Sequence, residues 1–132
     1  MANASPPRPG PGIACLSFPR AVSAGDLGAA ATCFARDGCL ITPDATAIHG
    51  RDSIRRVLAQ MIVRRTEIEV ELSTAVGAGE VALIHQRWRI SSGEQGEGRI
   101  EQVANAILIL RRVEATWKLS IAAPWGYRQA YG

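Results

Sequence analysis

Three apolar runs decide the fold of this chain: EVALIHQRWRI at residues 80–90, GRIEQVANAILIL at 98–110 and TWKLSIAAPWG at 116–126. Each run has the length and composition of a β-strand. The links between them, SSGEQGE and RRVEA, are short and polar or glycine-bearing, as is typical of hairpins. The stretch therefore predicts a meander of antiparallel neighbours.

The chain ahead of the meander shows helical patterns. Apolar positions between residues 13 and 24 recur loosely at helical spacing, but Pro19 interrupts them, so the first helix is short or begins at Pro19. Asp26 is a good N-cap for a second helix, which we expect to end at Gly38. The clearest helix is predicted for residues 51–65, because its apolar residues share one side. These residues are Ile54, Val57, Leu58, Met61 and Ile62.

Two further strands are predicted outside the meander. A brief one covers residues 39–42 and is closed by Pro43. A longer one covers residues 66–74, where apolar and acidic residues alternate strictly. The apolar face holds Ile68, Val70 and Leu72, and the acidic face holds Glu67, Glu69 and Glu71. We interpret the glutamates as solvated, since no histidine shares their face.

Helices followed by a meander predict an α+β domain, with about three helices packed on one face of a curved antiparallel sheet. The 132 residues are enough for one domain with a real core. Residues 1–12 are rich in proline and glycine and are predicted to be a flexible tail, which leaves residues 13–132 as the single domain.

Charge and cysteine content narrow the classes of function. The formal charge of +3 is scattered along the chain without a dense basic face, so we expect no nucleic-acid partner. Cys15, Cys33 and Cys39 show no metal-ligand spacing, and we expect free thiols and no metal. We also expect no cofactor. The N-terminal residues lack the apolar core of a signal peptide, and no apolar run could span a membrane. We therefore expect a cytoplasmic protein with no membrane partner.

Strand register determines which side chains face the core, since successive residues point to opposite faces. Pairing Leu110 with Leu119 and Leu108 with Ile121 gives one continuous apolar face. That face also includes Ile84, Gln86, Trp88, Ile90, Ile100, Gln102, Ala104, Ala106 and Trp117. On this register His85 lies on the opposite face, and a slip of one residue would exchange it with Gln86.

Several segments together resemble the nuclear transport factor 2-like superfamily, in its SnoaL-like and ketosteroid-isomerase-like branch. They are VSAGDLGAAATCFARDGCLITP at 22–43, IHGRDSIRRVL at 48–58, VALIHQRWRI at 81–90, and the LILRR and TWKLSIAAPWG segments that follow. The resemblance covers roughly residues 20–126. It implies a cone-shaped, cystatin-like fold with a deep apolar pocket, commonly dimeric through the outer sheet face.

For function, the resemblance implies a small-molecule-pocket protein. One interpretation is a cofactor-independent cyclase, isomerase or hydrolase acting on an apolar intermediate, such as a polyketide or another secondary metabolite. The alternative is a non-catalytic ligand-binding or dimerisation domain. Relatives often carry Asp-Asn or Asp-His before the final Pro-aromatic-Gly, where this chain has Ala122 and Ala123. Relatives also often have an acid in the penultimate strand, where this chain has the apolar residues 107–109.

Candidate residues follow from the register and the resemblance. Asp44 and His85 are the candidate catalytic groups, although a turn-stabilising role for Asp44 and an interface position for His85 are the alternatives. His49 is predicted to be a loop residue. The predicted ligand pocket comprises Gln86, Trp88, Gln102, Met61 and Trp125. The predicted homodimer interface comprises Leu83, Arg87, Ile107 and Ile109.

Overall fold

The computed structural model describes residues 10–93 and 98–125. Within these ranges the helices are α1 (Pro11–Ala14), α2 (Ser17–Ser23), α3 (Leu27–Thr32) and α4 (Arg51–Val63). The strands are β1 (Phe34–Ile41), β2 (Ala47–His49), β3 (Glu67–Ala78), β4 (Val81–Ser92), β5 (Ile100–Val113) and β6 (Thr116–Ala123).

The six strands form one sheet in the order β2-β1-β6-β5-β4-β3. Strands β3 to β6 pair as an antiparallel meander, as predicted. Strand β1 joins the far side of β6 in a parallel pairing, and β2 adds an antiparallel edge. The sheet is curved and unclosed, and helices pack against it. The predicted α+β class, with helices packed against a curved sheet, is therefore confirmed.

The second predicted helix is shorter than its sequence pattern indicates. Asp26 caps α3 as expected, because its Oδ1 accepts from the Ala29 N–H at 3.0 Å. The helix ends at Thr32, however, and Phe34 begins β1. Pairing with β6 overrides the helical pattern, since the Leu119 N–H donates to the Cys33 carbonyl oxygen at 2.7 Å.

Gly38 lies within β1 and does not terminate a helix. The pairing of β1 with β6 shifts register between Phe34 and Cys39. A Cβ at Gly38 would lie 2.9 Å from the Ala35 carbonyl oxygen, closer than such atoms approach. The prediction of a helix end here was wrong, because the glycine is required for close backbone packing at a bulge.

The N-terminal boundary also differs from the prediction. Helix α1 begins at Pro11, inside the stretch predicted to be a tail. Proline is tolerated at the first helical position because the N–H that it lacks has no partner there. The remainder of the predicted tail, residues 1–9, lies outside the described residues.

A β-bulge in β6 changes which of its residues face the core. Leu110 pairs with Leu119 as predicted, but Leu108 pairs with Ala122. The predicted pairing of Leu108 with Ile121 was wrong, because one extra residue enters β6 between positions 119 and 121. Ile121 consequently lies on the outer face, opposite Ile109.

A second bulge lies in β3. Val70 pairs with Trp88, but Leu72 pairs with Arg87, so Glu71 is the extra residue. Leu72 was predicted to face the core and is instead 54% exposed on the outer face. Beyond the bulge, Ser73 pairs with Gln86 and takes the inward position.

Aromatic and aliphatic side chains from both layers form the core. Phe18 of α2 contacts Phe34 edge-on, with ring centroids 5.4 Å apart, and lies 6.2 Å from Trp88. The longest helix, α4, buries Ile54 and Leu58 completely, as its amphipathic pattern predicts. Every helix in the described ranges is too short or too polar to cross a membrane.

Candidate functional site

A cleft of about 370 Å³ opens between the N-terminal helices and the end of the β5–β6 hairpin. Its apolar lining comes from both layers: Phe18 of α2, Leu110 of β5, and Trp117 and Leu119 of β6. Alternation along β5 and β6 directs the sheet residues inward, and the helical spacing of α2 directs Phe18 toward them. The volume lies at the small end of the range for ligand pockets, about 300–1,000 Å³.

Polar groups surround this apolar lining. They are the thiols of Cys15 and Cys33, the hydroxyls of Ser17, Thr32 and Thr116, and Lys118. The lining residues of the cleft, all within the described part of the chain, include no carboxylate and no imidazole. The cleft can therefore hold an apolar molecule and offer it hydrogen bonds, but its described lining supplies no carboxylate or imidazole as a general base.

The two thiols of the cleft are held in their neutral form. Burial raises the pKa of Cys15, and hydrogen bonds involving Ser73 and Gln86 only partly oppose this effect. Burial likewise raises the pKa of Cys33, against a smaller opposing effect of the Lys118 charge. Neutral thiols are poor nucleophiles, so neither cysteine supplies a reactive thiolate to the cleft.

Lys118 is held at the rim of the cleft. Its Nζ donates a hydrogen bond to the Thr32 carbonyl oxygen at 2.7 Å. Sequence reasoning missed this residue, because Lys118 lies between two inward-facing positions and alternation assigns it to the opposite face. Its position depends on where α3 ends, which the sequence pattern misplaced.

Gln86 and Trp88, both predicted to line the pocket, are fully buried beneath the cleft. The Trp88 Nε1 donates to Gln86 Oε1 at 2.7 Å, and the Gln86 Nε2 donates to Cys15 Sγ at 3.1 Å and to Ser73 Oγ at 3.3 Å. Both residues are 0% exposed, so a water-sized molecule does not reach them. Cys15 connects this polar pair to the cleft, a link that the sequence pattern did not reveal.

The other predicted pocket residues also lie away from the cleft lining. Gln102 pairs with Ile90 and is exposed near the other end of β5. Met61 and Trp125 are partly buried and pack against the core. The structure therefore joins none of the five predicted pocket residues directly to the cleft.

Neither candidate catalytic group reaches the cleft. Asp44 is exposed in the turn after β1, where the Thr42 hydroxyl and the Thr46 N–H donate to its Oδ1. These hydrogen bonds lower the pKa of the Asp44 carboxyl, and the bond from Thr42 has the largest effect. The carboxyl therefore stays ionised. His85 lies on the outer sheet face between Thr74 and Ile107, as the register predicts. His49, expected in a loop, ends the short strand β2.

The outer sheet face carries a row of apolar side chains. Val76, Leu83, Ile109 and Ile121 lie opposite one another on four adjacent strands. Val76 is 68% exposed and Leu83 is 48% exposed. We refer to these four residues as the outer apolar row. Ile107 is partly buried next to it, and Arg87 is exposed with its Nε 3.7 Å from Glu71 Oε1.

Metal binding has no support in the two described ranges, where histidine, cysteine, aspartate and glutamate form no group of three or more that could hold an ion. Described carboxylates pair with arginines on the surface instead. Asp37 lies 2.6 Å from Arg111, and Glu71 lies 3.1 Å from Arg89. Such exposed pairs contribute little to stability.

Comparison with solved structures finds the same fold in several bacterial proteins. A candidate dehydratase of the nuclear transport factor 2-like family from Streptomyces avermitilis has a TM-score of 0.74 and 20% identity, over 88% of this chain and 94% of that one. A nuclear transport factor 2-like protein with a cystatin-like fold from Novosphingobium aromaticivorans gives 0.72 and 14%, over 85% and 76%. A ketosteroid isomerase-like protein from Erwinia carotovora atroseptica gives 0.70 and 16%, over 84% and 88%.

Sequence comparison gives the family directly. No curated protein matches the chain significantly. The family model described as a SnoaL-like domain, however, matches residues 16–115, which is most of the chain. The structural neighbours are too distant in sequence to assign an activity, and they support the fold alone. The chain belongs to the SnoaL-like domain family.

Proposed function

We propose that this protein binds a small apolar molecule in the cleft between α1–α3 and the β5–β6 hairpin. One observation carries the proposal: Phe18, Leu110, Trp117 and Leu119 line a cleft of about 370 Å³ that hydroxyls and thiols surround. An apolar cavity with a few convergent polar groups is the usual form of a small-molecule site. Burial against Trp117 would supply affinity, and the polar rim would orient the ligand.

Binding without proton transfer is favoured over catalysis. The candidate bases Asp44 and His85 lie away from the cleft, and its thiols are neutral. A catalyst of the ketosteroid-isomerase kind needs a carboxylate or a comparable base within reach of the substrate. The interpretation as a non-catalytic ligand-binding domain is therefore better supported than the enzymatic one.

An enzymatic role is the second candidate. It is favoured by the names of two structural neighbours, a candidate dehydratase and a ketosteroid isomerase-like protein. In that case the protein would be a cofactor-independent cyclase, isomerase or hydrolase acting on an apolar intermediate, such as a secondary metabolite. Catalysis would then depend on orientation and desolvation in the cleft.

A homodimer through the outer sheet face is part of the same proposal. The outer apolar row exposes large hydrophobic side chains on four adjacent strands. Contiguous exposed apolar surface of this kind commonly marks a protein interface. The arginines Arg87 and Arg89 beside the row would supply a polar rim. We also propose a cytoplasmic location, since Cys15, Cys33 and Cys39 are free thiols.

Fluorescence titration with the neutral apolar probe N-phenyl-1-naphthylamine tests the binding proposal. Ala29 is exposed on α3 and lines the cleft, so Ala29→Phe should fill it and abolish probe binding. Ala47→Phe, on the exposed edge strand β2, is the matched control and should bind as the wild type does. Equal binding by both variants, or no binding by the wild type, would refute the proposal.

A further inference from the structure

Among the described residues, the lining of the cleft has a positively charged side chain but no negatively charged one. The charged side chain is Lys118, which is also the only lysine of the sequence. The surrounding surface is apolar or neutral, with Trp117 and Leu119 on either side of Lys118 in β6. Lys118 is therefore the one formal charge that the described lining of the cleft offers to a ligand, and it is positive.

The Lys118 ammonium has unused hydrogen-bonding capacity. It donates to the Thr32 carbonyl oxygen at 2.7 Å, which uses one of its three donors. Over residues 10–93 and 98–125 no carboxylate forms an ion pair with it. The contact with Thr32 fixes the ammonium at the rim and leaves its remaining donors available to a ligand.

The neighbouring cations are already neutralised. Arg111, the cross-strand neighbour of Lys118, pairs with Asp37 at 2.6 Å. Arg112 lies over the Trp117 ring at 5.9 Å and donates from two nitrogens to the Glu80 carboxylate. Of Lys118, Arg111 and Arg112, only Lys118 has no carboxylate partner among the described residues.

We propose that the ligand of the cleft is an amphipathic organic anion: a small ring or chain that lies against Trp117 and Leu110 and carries an acidic group that Lys118 binds. This inference rests on the proposed binding function and adds the substrate class. The acidic group would remain at the solvent-facing rim while the apolar part enters the cleft. Such an arrangement avoids burying the anion, which would be costly.

A purely structural role for Lys118 predicts different behaviour. A lysine near the last turn of a helix can stabilise its carbonyl groups, and Thr32 ends α3. If that were its whole role, replacing Lys118 would lower stability and affect charged and neutral ligands alike. Two matched ligands, one with and one without an acidic group, therefore distinguish a ligand-binding role of Lys118 from a structural one. Only the ligand-binding role predicts that replacing Lys118 affects the acidic ligand more.

The test uses two probes with the same ring skeleton, 1-anilinonaphthalene-8-sulfonate and neutral N-phenyl-1-naphthylamine. Lys118→Met should weaken sulfonate binding about tenfold or more, the effect of losing one charged hydrogen bond. The neutral probe has no acidic group for Lys118 to bind, so its affinity should change less than about twofold. Lys118→Arg should retain sulfonate binding. Arg55→Gln, an exposed change on α4, is the control for net charge and should leave both affinities unchanged.

Two outcomes would overturn the inference: an equal loss of both probes in Lys118→Met, or the same sulfonate loss in Arg55→Gln. Failure of the neutral probe to bind the wild type would instead refute the binding proposal itself. If Lys118→Met does not fold, salt dependence in the wild type replaces it. Sulfonate affinity should fall between about 0.05 and 0.5 M NaCl while neutral-probe affinity does not, because salt screens the Lys118 charge. Parallel behaviour of the two probes would contradict the inference.

Discussion

The Trp88 indole donates a hydrogen bond to the Gln86 amide oxygen, 2.7 Å away and two residues earlier on the same strand. Alternation along β4 places both side chains on the inner face, where both are fully buried. The Gln86 amide nitrogen is satisfied by Cys15 and Ser73. Two residues that resembled pocket features in the sequence thus form a sealed polar pair beneath the cleft.

A double-mutant cycle should reveal this pair as a unit. Gln86→Leu leaves the buried Trp88 N–H without an acceptor and should lower the free energy of unfolding by about 1–3 kcal/mol. Adding Trp88→Phe removes the orphaned donor, so the double variant should be more stable than the two separate losses predict. Urea denaturation measures all four proteins. Strict additivity of the two losses would show that the hydrogen bond contributes nothing.

Dimer formation should depend on the outer apolar row. Leu83 lies in the middle of the row, so Leu83→Glu should place a charge inside the proposed interface and yield monomers. Val63→Glu is the matched control, since Val63 is 80% exposed and lies on α4, outside the outer apolar row. Light scattering coupled to size-exclusion chromatography gives the mass of each. A wild-type protein that is monomeric at high micromolar concentration would rule out the interface.

Replacing the candidate bases predicted from the sequence, His85 and Asp44, should not change the affinity for a ligand of the cleft. His85→Ala changes the outer face, and Asp44→Asn changes an exposed turn. Both variants should bind N-phenyl-1-naphthylamine with wild-type affinity. His85→Ala should act on dimerisation, because His85 neighbours Ile107 and Thr74 on that face. A marked loss of probe binding in either variant would show that the replaced residue belongs to the ligand-binding site.

Stability should decline in alkaline solution because burial raises the pKa of the cysteine thiols, of which Cys15 is the least exposed. Burial raises its pKa above the ordinary 9.0, so the unfolded chain releases the thiol proton at lower pH than the folded chain. This contribution to stability is complete below pH 9.0 and is lost as pH rises through the folded pKa, at up to about 1.4 kcal/mol per pH unit. Cys15→Ser should flatten the decline measured by urea denaturation from pH 8 to pH 10. The less buried Cys39→Ser should flatten it less, and an unchanged slope in Cys15→Ser would contradict the assignment.

The fold could be predicted from the sequence because hydrophobic alternation and hairpin links are local signals. They located the meander, and alternation correctly placed Gln86 and Trp88 inside and His85 outside. Bulges escape this reasoning, since one inserted residue reverses the faces beyond it. Leu72 and Ile121 were misassigned for that reason.

The candidate site was harder to predict, since it depends on how tightly layers pack. Alternation states which residues face inward but not whether space remains beside them. The Trp88 side chain is completely buried and does not line the cleft. The cleft lies instead next to Trp117, between the N-terminal helices and the sheet. Cys15 follows α1, which begins inside the predicted tail. Lys118 of β6 contacts the end of α3, which the sequence pattern placed too late in the chain.

The most direct test is a heteronuclear NMR titration of the ¹⁵N-labelled protein with N-phenyl-1-naphthylamine, following the indole N–H signals of the three tryptophans. Trp117 lines the cleft, whereas Trp88 is sealed in the core. The account predicts that the Trp117 signal shifts progressively to saturation, and that Ala29→Phe abolishes the shift. A saturable shift confined to Trp88 or Trp125, with Trp117 unchanged, would contradict it.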